Sequence, residues 1–323
     1  MTATNDEKST LYIAGERTLW RIAHAGEEPE EIFSGEGLRA VSAGAGIVAV
    51  GLEERKVVVL GDDGRAAEAT VDEPVESLLV ISHRPVNVLV GTEDARLYRL
   101  TGEGLRRNAN FDALDCRQTW HTPWGGPPAV RSMAATPDGW IYADIHVGSI
   151  MRSPDRGEHF EPVKPELHED VHQVATCPVD ANRIYANTAK AVYVSYDRGG
   201  SWEHRSAELE DRYGRAIAVA PEDPDLLLTT VSDGPHGDNV HGQLWRSDDC
   251  GRSWSHVLDG FPHSTRENIN THHVAFAADS TAWAVVGDTV YIGSQRACQW
   301  RRWRRMNEPI VMLASPEAVI EQA

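Results

Sequence analysis

Three stretches, SPDRGEHF (residues 153–160), SYDRGGSW (195–202) and SDDCGRSW (247–254), share the frame Ser-x-Asp-x-Gly-x-x-aromatic. Each residue type has a physical reason to stand where it does. The Asp can accept hydrogen bonds from nearby backbone N–H groups, the Gly permits a positive φ in a tight turn, and the aromatic can pack between sheets. The frame describes a hairpin turn between two short strands. Weaker copies extend it in both directions: IAHAG around Gly26, LGDDG around Gly64, LTGEG around Gly104, and GSQRACQW (293–300), with Gln295 in place of Asp and Ala297 in place of Gly. The turns at 26, 64, 104, 157, 199, 251 and 297 are spaced by 38, 40, 53, 42, 52 and 46 residues, near the ~40 to 50 residue period of propeller blades. Seven blades are expected.

The frame resembles the Asp box, or bacterial neuraminidase repeat, of sialidases, sortilin-type receptors and the photosystem II assembly-factor family. That resemblance implies a β-propeller in which each box joins the last two strands of a blade. Turn and packing chemistry account for every fixed position of the frame, so the boxes are expected to be structural and to do no chemistry. Sialidase activity is not expected, because sialidase propellers have six blades and the characteristic Arg-Ile-Pro start is absent here.

Upstream of each turn, short β-branched segments follow a fixed order. VHQVATCP, RIYANT and AVYVSYD form one set, and GRAIAVAP, LLLTTV and QLWRSDD the next. LYIAG and TLWRIA near the start lack an inner strand, which IVMLAS (310–315) can supply. The chain is thus expected to be all-β, one seven-bladed propeller over 1–323. Its four-stranded blades span about 11–34 plus 310–315, 37–72, 75–110, 130–165, 170–208, 213–258 and 271–306, and the shared first blade closes the ring.

The formal net charge of −18 opposes binding to nucleic acid or anionic membrane surfaces. The basic, aromatic RRWRR (301–305) is too short to reverse that expectation and falls on a last strand. No signal peptide or membrane-length apolar run is recognisable, so a cytoplasmic protein with free thiols at Cys116, Cys177, Cys250 and Cys298 is expected.

Aligning the inner strands on Pro137, Pro178, Pro221 and Asp279 places Arg131, His172, Arg215 and His273 at one position, six residues earlier. Arg39, Glu76 and Ile310 occupy it in the remaining blades. Such a ring of like charge at one channel mouth has an electrostatic cost that a bound anion or metal offsets. The expanded loops reaching the same mouth carry His121 and Trp124, Asp144 and His146, and Asp233, His236, Asp238 and His241.

These residues suggest an enzyme, a hydrolase or lyase, acting on a small anionic molecule. Arg131, Arg215, Arg39, His121 and His236 would bind substrate, bidentate guanidinium contacts suiting carboxylate or phosphate. His172, His146, Asp144 and His273 would be catalytic. No cofactor is certain. A divalent metal such as zinc on His146, His172 and His273 is a candidate, its geometry resting on the fold because no local ligand spacing exists. The alternative is a non-catalytic ligand- or protein-binding propeller, an assembly or scaffold factor, which predicts a broad apolar patch near Trp120 and Trp124.

Overall fold

The computed structural model describes residues 10–44, 46–61, 64–122, 124–209, 213–317 and 320. Seven sheets form the blades of a propeller, six of four antiparallel strands and one with a fifth strand that pairs in parallel. The first blade is completed from the far end of the chain. Ile310–Ala314 is its inner strand, antiparallel to Leu11–Gly15 with Ile13 opposite Leu313, and Thr18–Ile22 and Glu30–Ser34 follow outward. Beyond this closure Pro316–Glu317 adds a parallel strand to Leu38–Gly44 of blade 2, and Ile320 is buried among residues of blades 3 and 4.

Each Asp box makes the same turn. The Ser153, Ser195 and Ser247 hydroxyls accept from the backbone N–H of Gly157, Gly199 and Gly251 at 2.7–2.8 Å. Those hydroxyls donate to Oδ1 of Asp155, Asp197 and Asp249, which also accepts from the N–H groups of His159, Ser201 and Ser253. Arg156–Gly157, Arg198–Gly199 and Cys250–Gly251 all have positive φ, two consecutive left-handed residues as in the tight hairpin turns that match strand twist. Ala297 takes the same conformation at the seventh turn, with φ 60°. At 104 the early repeat is a plain hairpin, Thr101 paired with Gly104. Gly64 likewise pairs with Gly61, while Asp62 and Asp63 lie outside the described residues.

Phe160, Trp202, Trp254 and Trp300 are buried, and each packs back onto the preceding blade. This apolar seam between neighbouring blades, repeated round the ring, forms the core. All four cysteines are free thiols.

Around the propeller axis the inner strands leave a cavity of about 860 Å³. Its wall is largely apolar, with Val41, Leu78, Met133, Val174 and Ile217 facing inward. Where the inner strands begin it is lined by Arg39, Glu76, Arg131 and Arg215.

Candidate functional site at the channel mouth

The inner strands of blades 2 to 6 enter through a β-bulge. Pairing skips a residue between Leu38 and Ala40, Val75 and Ser77, Val130 and Ser132, and Val171 and Gln173, and skips two between Gly214 and Ile217. The residue that the bulge frees is Arg39, Glu76, Arg131, His172 or Arg215, so the aligned position is a structural one. Arg39, Glu76, Arg131 and Arg215 line the cavity. Arg39 and Glu76 pair with each other at 3.6 Å. Arg131 and Arg215 are less satisfied, since Nη1 of Arg131 and Nε of Arg215 are buried without a hydrogen-bond partner. Arg215 lies over the Tyr213 ring at 5.0 Å and reaches the Pro235 carbonyl at 3.3 Å.

Three blades depart from the expected ring. In blade 5 Gln173 lines the cavity, while the His172 side chain is turned aside and fully buried. In blade 7 the inner strand does not begin until Val274. His272 takes a left-handed φ of 60° and faces the cavity, and Gln173 Nε2 lies 3.2 Å from its Nδ1. His273 points the other way, its Nε2 3.1 Å from the Val311 carbonyl. The alignment that chose His273, six residues before Asp279, fails because that residue precedes the strand. In blade 1 Val311, not Ile310, lines the cavity.

Asp144 is also removed from the mouth. It is sealed in the seam between blades 4 and 5, accepts from the Ser132 hydroxyl, and is pushed up to about 7 by that burial. Its counterpart in blade 5, Asn187, donates to the Ala216 carbonyl at 2.7 Å and the Thr229 hydroxyl at 2.8 Å, a seam role. His121 and His236 are exposed. His121 Nδ1 lies 3.0 Å from the Thr119 carbonyl, and neither histidine is in the cluster described next. The 233–241 loop is held by the His241–Asp233 pair at 2.6 Å.

What the fold does bring together is His146, Asp170 and His172. One donor or acceptor atom from each lies within 4.8 Å of the others. Nε2 of His172 is 3.2 Å and Nε2 of His146 is 3.8 Å from Oδ1 of Asp170. The Tyr213 hydroxyl is 2.9 Å from His172 Nε2, and Nδ1 of the same ring faces the Gly214 carbonyl. A carbonyl only accepts, so Nδ1 carries a proton, and in the neutral ring Nε2 then presents a lone pair. Burial and then the nearby Arg131 push His146 down to about 3. Burial also pushes His172 down, with Arg131 and Arg215 reinforcing it against Asp170. Burial alone would raise Asp170, but the surrounding histidines and Arg131 outweigh it and hold the carboxyl low. Both imidazoles are held below their ordinary range and the carboxyl below its own. Trp124, 65% exposed, covers His146 at a ring separation of 4.9 Å. Trp120 is in the core against Phe111.

Sequence reasoning missed Asp170 and Tyr213. Asp170 and His172 are spaced by two, the interval that puts residues on one side of a strand, and Tyr213 stands two before Arg215. That shared offset was the available signal.

Comparison with known proteins agrees with this architecture. A family model described as sortilin, neurotensin receptor 3 (Sortilin-Vps10) matches residues 148–306, just under half of the chain. The chain resembles Asp-box propellers. No curated protein matches it. Among solved structures, the GH74 xyloglucanase from Xanthomonas campestris is 19% identical with a TM-score of 0.69, covering 93% of this chain and 53% of its own. The GH74 enzyme of Niastella koreensis is 13% identical with a TM-score of 0.72, covering 94% and 53%. The chain thus spans about half the length of these two enzymes. YCF48 bound to D1 peptide is 14% identical with a TM-score of 0.53, covering 90% and 88%. At these identities the likeness is one of fold, and it spans both a glycoside hydrolase family and a peptide-bound propeller.

Proposed function

We propose that the channel mouth is the active site of an enzyme, a hydrolase or lyase, that takes a small anionic substrate. In this reading Arg131 and Arg215 bind the carboxylate or phosphate, and the adjacent His146–Asp170–His172 cluster supplies the reactive group. One observation carries the reading: two cavity-lining guanidiniums each keep a buried N–H group with no hydrogen-bond partner among the described residues. Leaving such a donor unmade is costly, about 1 to 3 kcal/mol, and an anion with two acceptor oxygens removes the cost. This local positive charge stands against a formal net charge of −18 for the whole chain.

The test is calorimetric titration with inorganic phosphate and with oxalate. Arg131→Ala and Arg215→Ala should each weaken binding by about tenfold to a hundredfold. Unchanged affinity in both variants would remove the basis for the proposal.

A scaffold role is favoured by Trp124 alone. The apolar patch that role predicts shrinks to this one side chain, because Trp120 is buried and the other large exposed hydrophobics among the described residues are Val179 and Leu258.

A further inference from the structure

The arrangement around Asp170 is incomplete in a specific way. Its Oδ1 is buried and has no hydrogen-bond donor among the described residues, yet it lies 3.2 Å from His172 Nε2. Because Nδ1 of that ring faces a carbonyl and so holds a proton, Nε2 is the nitrogen that the neutral ring offers as a ligand. His146 brings a third nitrogen to 3.8 Å. Three potential ligand atoms, one each from His146, Asp170 and His172, thus lie within 4.8 Å of one another, with the Tyr213 hydroxyl beside them on one side.

We propose that His146, Asp170 and His172 bind a divalent transition-metal ion, and that this ion is the reactive group of the anion site described above. The inference rests on that proposed function for its role in catalysis, but not for the binding of the ion. Two imidazoles and one carboxylate are a donor set that zinc, cobalt, nickel and iron(II) all accept. Bonds of about 2.1 Å at tetrahedral angles require ligand atoms about 3.4 Å apart. The 3.2 Å and 3.8 Å separations already bracket that value, and the widest separation, at most 4.8 Å, needs only a modest closing of His146. The outer shell is in place as well. The Gly214 carbonyl fixes the tautomer and the orientation of His172, the arrangement that recurs around metal-bound histidines. His146 is a large fraction buried, 11% exposed at the side chain, and Trp124 covers it, so water has restricted access.

The neighbouring arginines decide the rest. With Asp170 contributing one negative charge, Arg131 and Arg215 leave the cluster net positive before any ion enters, and a dication raises that further. Binding of metal and of anion should therefore be cooperative: an anion bridging the ion and the two guanidiniums cancels the repulsion between them. Tyr213, whose hydroxyl now sits on Nε2, would turn to the ion's remaining ligand. This accounts for a metal site set beside two cations, which either observation alone would argue against.

Cobalt(II) is the probe, because its visible d–d absorption reports both binding and coordination number. Full-length protein stripped with chelator and titrated with cobalt(II) should take up one equivalent, with a spectrum of four- or five-coordinate geometry. His146→Ala and Asp170→Asn should each weaken uptake by at least about 100-fold. His146 is the less buried histidine, so His146→Ala keeps the test informative if Asp170→Asn fails to fold, and thermal melting identifies that failure. Oxalate should tighten cobalt(II) binding in the parent protein by about tenfold or more, and should not in Arg131→Ala. Failure to bind cobalt(II), or uptake indifferent to both ligand substitutions, overturns the metal site. If phosphate binding to the stripped protein nonetheless depends on Arg131, the anion site stands without the metal.

Discussion

Asp144→Asn should stabilise this protein, and the gain should depend on pH. The carboxyl is fully buried in the seam between blades 4 and 5, with Oδ1 unpartnered, and burial pushes it from the ordinary 3.8 to about 7. Between those values the native state keeps a proton that the unfolded chain has released. Stability therefore falls as pH rises through that window, and the cost is complete above pH 7. A rise of about three pH units corresponds to about 4 kcal/mol at alkaline pH and to almost nothing near pH 4. An Asn removes the charge and supplies an Nδ2 donor, which the equivalent Asn187 already uses on the neighbouring blade. For a chain of this length the gain corresponds to a rise in Tm of about 6 °C at pH 8.5 and little change at pH 4.5. Differential scanning calorimetry at the two pH values measures it. A Tm difference that is the same at both values, or a loss at pH 8.5, would refute the assignment of Asp144 to the seam as a buried, costly carboxyl.

Other outcomes follow from features already described. Asp197→Ala removes the acceptor for the Ser195 hydroxyl and for the N–H and hydroxyl of Ser201, and should cost about 1 to 2 kcal/mol in urea unfolding without altering anion binding. Trp254→Ala should cost about 3 to 5 kcal/mol, because the ring fills the seam between blades 5 and 6. Backbone and side-chain hydrogen bonds hold the exposed Asp155 down at about 2 against a partial desolvation, so its contribution to stability is present above pH 3.8 and fades as acid approaches pH 2; Asp155→Asn should flatten the acid limb of the stability profile. Zinc at a hundred times its Kd should stabilise the chelator-stripped protein by about 2.7 kcal/mol, read as a rise in Tm that His146→Ala abolishes.

The architecture was legible because it is repeated. Three full Asp boxes fixed the frame, and four degenerate ones were found by spacing. Turn geometry tolerates Ala297 in place of Gly at φ 60°. The ring at the mouth was legible in blades 2, 3, 4 and 6, where the bulged residue faces the axis. It was misread in blade 7, where the strand does not begin until Val274 and His272, not His273, faces inward. His172 was found at its position but not its direction, which depends on a carbonyl contributed by the next blade. Asp170 and Tyr213 escaped because neither occupies the aligned position. The site they complete is made from three consecutive blades, and alignment of blades one on another cannot show what passes between them.

The closure of the first blade separates its two halves by almost the whole chain. Leu11–Gly15 pairs on its inner side only with Ile310–Ala314. On a ribosome adding about 5 to 20 residues each second, the nascent N-terminal strands wait on the order of 15 to 60 s with that inner edge unpaired. An unpaired apolar edge is a template for wrong pairing, including with the N-terminal strands of neighbouring nascent chains. Slow synthesis and polysome crowding are thus the conditions in which yield of this protein should suffer, and supplying the 310–314 segment in trans as a peptide during translation should restore it.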